Sequence, residues 1–498
     1  MTEASSLPEL VHELQGRFNF DAFHPGQAEL IQALLAGRDA IGVLPTGSGK
    51  SLIYQFLAPH LNGLFVIVTP LISLMEDQAN RIRLSKLGQV AILNGQLDRD
   101  EQRYVLDHLS KTKFLFLAPE TLQRAVVIRR LKQLSIGLLT VDEAHCISSW
   151  GPDFRPDYLQ LGAIRHQLKP TATLALTATA TDRVVQDIRQ SLLHNMPTYL
   201  YKASVDRLNL YLRTEFVQGR EDKWQRLELL LQHDWPTLIY TSTRQQAEDL
   251  ALLIAQRTKR KVAYYHAGLE GTTRAHIQQL FLHDRLDTVV ATSAFGMGID
   301  KQNIRLLIHD EMPANFENYL QEIGRAGRDG QPALTLIFVN QQDHERLVNR
   351  QRLHQLPSQL IENFFAAPLA ATPSGLIEEQ SQVLATYRRA NFDVQTVVKL
   401  LQKTQRVRED QLQLFWVFLN STKCLREQIC QYFDHQHSPE PHDETCCSQS
   451  TQLSLTAVIE QLDLPTTSVN HASPSLTTLS EAWSQLFDCT VNSSQKSV

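Results

Sequence analysis

Cysteine is scarce. Cys146, Cys424, Cys430, Cys446, Cys447 and Cys489 are the only six in 498 residues, too few and too unevenly placed for a disulfide framework. That excludes a small stapled secreted scaffold and fits a reducing compartment. Long hydrophobic runs are missing as well, and no stretch is apolar for the ~18 residues that a bilayer-spanning helix needs. The opening MTEASSLPELVHEL lacks the basic start and apolar stretch of a secretory signal, so a cytoplasmic location without a membrane partner is expected. Positive charge is not in excess either. The formal net charge is −5, so any polyanion must be met by a local basic groove and not by a basic body. What remains is ordinary globular composition, 43% apolar and 20% charged, in a chain long enough for about three domains.

Between Ala40 and Thr177 short apolar runs alternate with amphipathic stretches of helical length. The runs are Ala40–Leu44, Leu64–Val68, Phe114–Leu117, Leu138–Val141 and Thr173–Leu176. Continuous apolar runs separated by helices predict parallel strands covered on both faces, hence an α/β domain. The rhythm resumes after about Arg207 with Leu238–Tyr240, Val262–Tyr265, Thr288–Ala291, Leu306–Ile308 and Leu334–Val339, a second α/β domain. From about Asp343 the sequence reads as helices rich in Gln, Leu and Arg, broken at Pro357 and around Ala366–Gly375, with no sheet expected. After Asp434 the chain turns to His, Pro, Ser and Thr. Apart from one amphipathic stretch, Leu453–Leu462, this tail is expected to be mobile or loosely docked. The expected domains are therefore 1–205, 206–345 and 346–448, followed by a tail, 449–498.

The sharpest chemical signal is Leu44-Pro45-Thr46-Gly47-Ser48-Gly49-Lys50-Ser51, between an expected strand and an expected helix. Glycines let backbone N–H groups converge on phosphate oxygens, Lys50 reaches the β/γ-phosphates and Ser51 holds Mg²⁺. The strict pattern has Gly where Leu44 stands, but every group the chemistry uses is present. Downstream, Asp142-Glu143-Ala144-His145 follows an apolar strand, where open α/β sheets keep their sites. Asp142 is expected to hold Mg²⁺ and Glu143 to orient and deprotonate the attacking water. A third segment, Gln321-Glu322-Ile323-Gly324-Arg325-Ala326-Gly327-Arg328, puts two arginines three apart, on one face if helical. Such arginines stabilise charge on a transferring phosphoryl group when two lobes close. A solvated basic turn is the plainer alternative.

The order of these segments resembles that of RecQ-type DNA helicases, within the second helicase superfamily. The resemblance covers roughly Phe18 to Phe433 and rests on Phe20–Gln27, Thr69–Gln78, Asp142–Gly151, Thr177–Ala180, Tyr264–Leu269, Ala294–Lys301 and Gln321–Gly330. It implies two RecA-like parallel-sheet domains followed by a helical subdomain. It also implies an ATP- and Mg²⁺-dependent DNA helicase that moves 3′-to-5′ along single-stranded DNA and unwinds duplex DNA in repair or recombination. In such proteins Gln27 would read the adenine edge while Phe20 and His24 flank the ring. Thr46, Gly47, Ser48, Gly49, Lys50, Ser51 and Asp300 would complete the nucleotide site. Trp150, Phe154, Arg155 and His266 would meet the nucleic acid, Trp150 and Phe154 by stacking. From local sequence alone, packing of Trp150 and Phe154 under their strand is the favoured reading, and a satisfied core histidine is as good a reading of His266 as a functional one. The chain departs from the family pattern at His24, where arginine is usual, and at Pro152, where histidine is usual.

The family often carries a four-cysteine zinc subdomain. Cys424 matches its first ligand, but the adjacent Cys446 and Cys447 lack the usual spacing. Free cysteines are therefore expected, with Cys430, His435, His437 or His442 as the partners an altered zinc site would need. The last ~50 residues are too few for a winged-helix module of ordinary size. A shortened member is the resulting expectation. Two rivals stay open: a DNA-stimulated translocase with weak unwinding, and a non-enzymatic DNA-binding or annealing scaffold.

Overall fold

The computed structural model describes residues 7–70, 72–148, 155–296, 301–353, 355–368, 375–433, 446–449, 453–462 and 464. Two parallel sheets dominate it. The first sheet contains β1 (Asp39–Val43), β2 (Leu64–Val68), β3 (Val90–Leu93), β4 (Phe114–Leu117), β5 (Ile136–Val141), β6 (Ala172–Thr177) and β7 (Thr198–Lys202), in the order β3-β4-β2-β5-β6-β1-β7. The second contains β8 (Leu210–Phe216), β9 (Thr237–Tyr240), β10 (Val262–Tyr265), β11 (Thr288–Ala291), β12 (Leu306–His309) and β13 (Ala333–Val339), in the order β10-β11-β9-β12-β13-β8.

Alternation along each strand feeds two cores. Ile41 and Val43 of β1 join one apolar layer of the first sheet, while Ala40 and the following Leu44 join the other. Burial on both faces is why the inner strands read as unbroken apolar runs. β3, β7 and β8, absent from the strands expected from sequence, are all sheet edges. β3 and β7 are mostly half-buried, and β8 carries Arg213, Thr214 and Glu215.

Helices Gln341–Leu353, Ser358–Ala366, Glu378–Arg389, Val394–Leu419 and Leu425–Phe433 follow the second sheet. Phe415, Phe418, Leu425, Ile429 and Phe433 extend the second lobe's core, whereas Ile361, Phe364, Leu384, Tyr387 and Val397 form a small core of their own. The expectation of no sheet beyond residue 343 needs one correction. Cys447 bridges Leu212 in parallel, because edge strand β8 offers its backbone groups to a passing chain. The amphipathic stretch of the tail is ordered. Leu455–Leu462 is a helix whose Leu455, Val458 and Ile459 pack with Trp235, so the amphipathic stretch read from the sequence is docked by apolar burial. Among the described residues no helix is long and apolar enough to cross a membrane.

Helix Leu425–Phe433 also touches the link between the sheets. Arg426 donates to the Asp206 carboxylate at 2.9 Å and to the Leu210 carbonyl at 2.8 Å. From the first lobe, Lys202 donates to the Phe433 carbonyl at 2.5 Å.

Candidate active site between the two lobes

β5, β6 and β1 are neighbours, so residues 142–143, 177–179 and 44–51 leave the first sheet side by side at its carboxyl edge. After β1 the chain turns through Gly47 (φ +86°) and Gly49 (φ +68°) into helix Lys50–Phe56. These left-handed conformations favour glycine and leave the loop backbone open to a phosphate. Lys50 donates from Nζ to the Leu44 carbonyl at 3.1 Å. Ser48 turns its hydroxyl onto the Pro45 carbonyl at 2.7 Å. Thr46, Gly47, Gly49, Lys50 and Ser51 all border one cleft with Asp142 and Glu143.

The electrostatics of that cleft are crowded. Burial, and then the neighbouring Glu143 carboxylate, push Asp142 up to about 7, against the pull of Lys50. Burial lowers the Lys50 ammonium, Glu143 and Asp142 raise it, and Arg328 and Arg325 lower it further. Two hard carboxylates held together at the cost of desolvation suit a divalent cation, and the Ser51 hydroxyl adds a neutral oxygen donor. Glu143 itself has φ +48°, a left-handed backbone rare outside glycine and typical of strained functional positions. His145 Nδ1 lies 3.3 Å from Glu143 Oε2 and 3.0 Å from Thr177 Oγ1. Thr177 spends its proton on the Thr179 carbonyl at 3.0 Å, so in the Thr177 contact the imidazole nitrogen is the donor.

The second lobe supplies Gln321, Arg325 and Arg328 to the same cleft. Helix Phe316–Ile323 is capped by Asn315, whose side chain accepts from the Asn318 N–H at 2.8 Å. The helix stops at Gly324, so the condition for both arginines to share a helical face is not met: they stand in the turn that follows. Gly327 (φ +53°) makes that turn, and a Cβ there would come within 2.5 Å of Asn209 Nδ2. Arg325 is 4% exposed, hydrogen-bonded to Tyr240, and its Nε is buried without a partner. An orphaned guanidinium nitrogen beside a phosphate loop fits an anion. Arg328 lies so close to the loop that a Cβ on Gly47 would be 3.1 Å from its Cδ and Nε. Lysine and arginines thus face one space from two lobes.

Other expected residues fare differently. Gln27 is 0% exposed, and its amide donates to the carbonyls of Ser48 (2.8 Å) and Gly49 (3.1 Å) while its oxygen accepts from the His24 N–H at 2.9 Å. Both of its N–H groups thus clamp the phosphate loop. Phe20 is 53% exposed, and His24 is exposed beside Gly49. His266, expected at the nucleic acid, is 5% exposed, bonded to Glu248 at 2.9 Å and stacked on Tyr264. It is an interior histidine whose Nε2 is bonded while its Nδ1 is buried without a hydrogen-bond partner. Arg155 donates to the Pro70 carbonyl at 3.3 Å. Trp150, Phe154 and Asp300 lie outside the described residues. Sequence reasoning missed Tyr54 and Arg81, which also line the cleft. Arg81 stands three residues after Gln78, and that spacing on an amphipathic helix was the available signal.

Cys424, Cys446 and Cys447, the candidates for an altered zinc site, place their sulfurs within 4.8 Å of one another. The bridge from Cys447 to Leu212 on β8 holds the adjacent pair beside the start of helix Leu425–Phe433. Three thiols are one fewer than a closed structural zinc site uses, so among the described residues the set is incomplete for zinc. Cys430 lies apart from them, against Leu210 and Arg426.

Two parallel-sheet lobes sharing a phosphate cleft define a class, the nucleotide-driven helicase fold. The DEAD/DEAH box helicase family matches residues 24–188, and the helicase conserved C-terminal domain matches residues 222–330. Among solved structures, Mycobacterium smegmatis helicase Lhr bound to ssDNA and AMP-PNP aligns with TM-score 0.55 and 19% identity, covering 80% of this chain and 55% of that one. Mss116p bound to ssRNA and AMP-PNP aligns with TM-score 0.56 and 17% identity, covering 87% and 97%. These share the fold. The probable ATP-dependent DNA helicase RecS of Bacillus subtilis is 36% identical over 457 residues, 89% of this chain and 92% of that protein. The ATP-dependent DNA helicase RecQ of Haemophilus influenzae is 37% identical over 340 residues, 68% of this chain, which spans only 54% of that relative. The chain belongs to the RecQ/RecS family of ATP-dependent DNA helicases.

Proposed function

We propose that the chain hydrolyses ATP between its lobes to move 3′-to-5′ along single-stranded DNA and displace the paired strand, in DNA repair or recombination. The observation that carries this reading is the position of Arg328 against Gly47, with Lys50 and Arg325 on the same cleft. Lys50 and the loop N–H groups bind the β- and γ-phosphates. Arg325 and Arg328 meet the charge that builds on the transferring phosphoryl group, which is stabilising only while the lobes are closed. Glu143 orients water and takes its proton. Asp142 and Ser51 would hold Mg²⁺, which supplies charge neutralisation across the phosphates when bound. The hydrogen bonds from His145 to Thr177, and from Thr177 to Thr179, connect the Glu143 turn to the end of β6, a route by which the catalytic turn feels the strand track. Phe20 and His24 offer exposed faces to the adenine ring, and Arg155 contacts a DNA phosphate.

The test is ATP hydrolysis with and without single-stranded DNA, beside unwinding of duplexes tailed at the 3′ or the 5′ end, for the native chain and Lys50→Ala. DNA-stimulated hydrolysis and unwinding of only the 3′-tailed duplex are expected, both lost in Lys50→Ala. Hydrolysis without unwinding would reduce the protein to a translocase. Turnover surviving Lys50→Ala would overturn the site.

A further inference from the structure

The helix that leads into the arginine turn carries a buried carboxyl bonded to the appended helices. Glu317 stands in its first turn, 2% exposed, one helical turn before Gln321. Its partners come from the appended helices. Tyr432 Oη donates to Glu317 Oε1 at 2.8 Å, and Gln411 Nε2 donates to the same oxygen at 3.4 Å. Aromatic rings wall the contact: Phe316 stacks on Tyr432 at 4.5 Å and meets Phe415 edge-on at 5.2 Å, and Tyr319 tilts on Phe415 at 5.6 Å. The second oxygen, Oε2, is buried with no hydrogen-bond partner. A purely structural site would be better served by an apolar residue of similar volume, because a half-satisfied buried carboxyl costs stability.

We propose that Glu317 is a positioning residue for ATP hydrolysis: with Tyr432 and Gln411 it fixes helix Phe316–Ile323 on the appended helices, and so sets where Gln321, Arg325 and Arg328 meet the triphosphate. This role presupposes the nucleotide cleft described above. Arg325 and Arg328 stand on a turn whose placement is inherited from the helix before it. Tyr432 is in turn fixed by its own helix, which Arg426 ties to Asp206 and Leu210. A continuous line of contacts therefore runs from the interlobe link to the arginines. Burial pushes the Glu317 carboxyl up to about 7, against the Tyr432 hydrogen bond and its own backbone N–H. The groups that face it are the Tyr432 phenol and the Gln411 amide. In its neutral form the carboxyl puts no charge on the unpartnered Oε2, and docking is then tightest.

The experiment measures kcat and KM for ATP with saturating single-stranded DNA, from pH 5.5 to 8.5, in the native chain, Glu317→Ala, Glu317→Gln and Tyr432→Phe, each checked for folding by thermal melting. Glu317→Ala should lose kcat about tenfold or more, as small displacements of phosphoryl-stabilising groups do, while KM stays within about twofold of native. Glu317→Gln keeps an acceptor for Tyr432 and should restore kcat, without the native profile's fall as pH rises through about 7. If Glu317→Ala fails to fold, Tyr432→Phe takes its place, with the same loss of kcat at constant KM expected. Native kcat in the folded Ala or Phe variant, or a loss that Gln does not repair, would overturn the positioning role. A native chain without DNA-stimulated turnover, or turnover surviving Lys50→Ala, would sink the cleft reading itself, a separate and distinguishable failure.

Discussion

In the first lobe Lys50, Asp142 and Thr177 stand at or just past the ends of three adjacent strands, so one sheet fixes their spacing. In the second lobe Arg325 and Arg328 hang from a turn after a short helix, and that helix leans on residues more than ninety positions further along the chain, Gln411 and Tyr432. The same cleft is therefore built by two methods: one half is rigid by sheet geometry, and the other is adjustable through an added layer. This division suits a site in which one half grips the nucleotide and the other reports on it.

Breaking each half in turn separates gripping from reporting. Lys50→Ala and Arg328→Ala should each lower kcat on the order of a thousandfold. Only Lys50→Ala should also abolish binding of a fluorescent ATP analogue, and equal binding defects in both variants would erase the distinction. A change confined to the adjustable half comes next. Because the Glu317 carboxyl rises from 4.5 to about 7 on folding, the folded state keeps a proton that the unfolded chain has already released. Stability should therefore fall as pH rises through that window and level off above it. Glu317→Gln removes this dependence, so at pH 8 it should melt higher than native by the equivalent of about 3 kcal/mol, with little advantage near pH 4.5. Melting curves of the two proteins across that range check the sign.

The rigid half is tested through Gly26, whose φ of +88° and contact with Tyr201, 2.3 Å from a would-be Cβ, leave no room for a side chain. Gly26→Ala should destabilise the chain by about 1–3 kcal/mol. It should also loosen the adjoining Gln27 clamp, seen as a raised KM for ATP. The smallest effect is expected at exposed Phe20, where Phe20→Ala should raise KM a few-fold, worth about 1 kcal/mol of stacking, with kcat unchanged.

The same contrast explains what could be read in advance. Inner strands such as β2 and β4 are buried on both faces and announce themselves as unbroken apolar runs. Edge strands do not: Thr198–Lys202 mixes tyrosine with threonine and lysine because one side meets less protein. Lys50 and Asp142 were legible because glycine-rich turns and paired carboxylates at strand ends have few other uses. Glu317 was not, because a lone glutamate in a helix ordinarily means a solvated face, and only tertiary packing by Tyr432 and Phe415 buries it. The Gln27 contacts were hidden for the converse reason, since residue type alone does not tell that an amide also holds the neighbouring loop backbone.

Helix Leu425–Phe433 makes a further demand on the hinge. It is stapled to the linker and the second lobe through Arg426, and to the first lobe through Lys202 on the Phe433 carbonyl. Any swing that parts the lobes along this side must stretch that last tether, at a toll near 1.5–3 kcal/mol for a charged hydrogen bond. A catch of that strength gives the joint a preferred resting angle yet yields to a single nucleotide, much as a door latch holds against a draught but not against a hand.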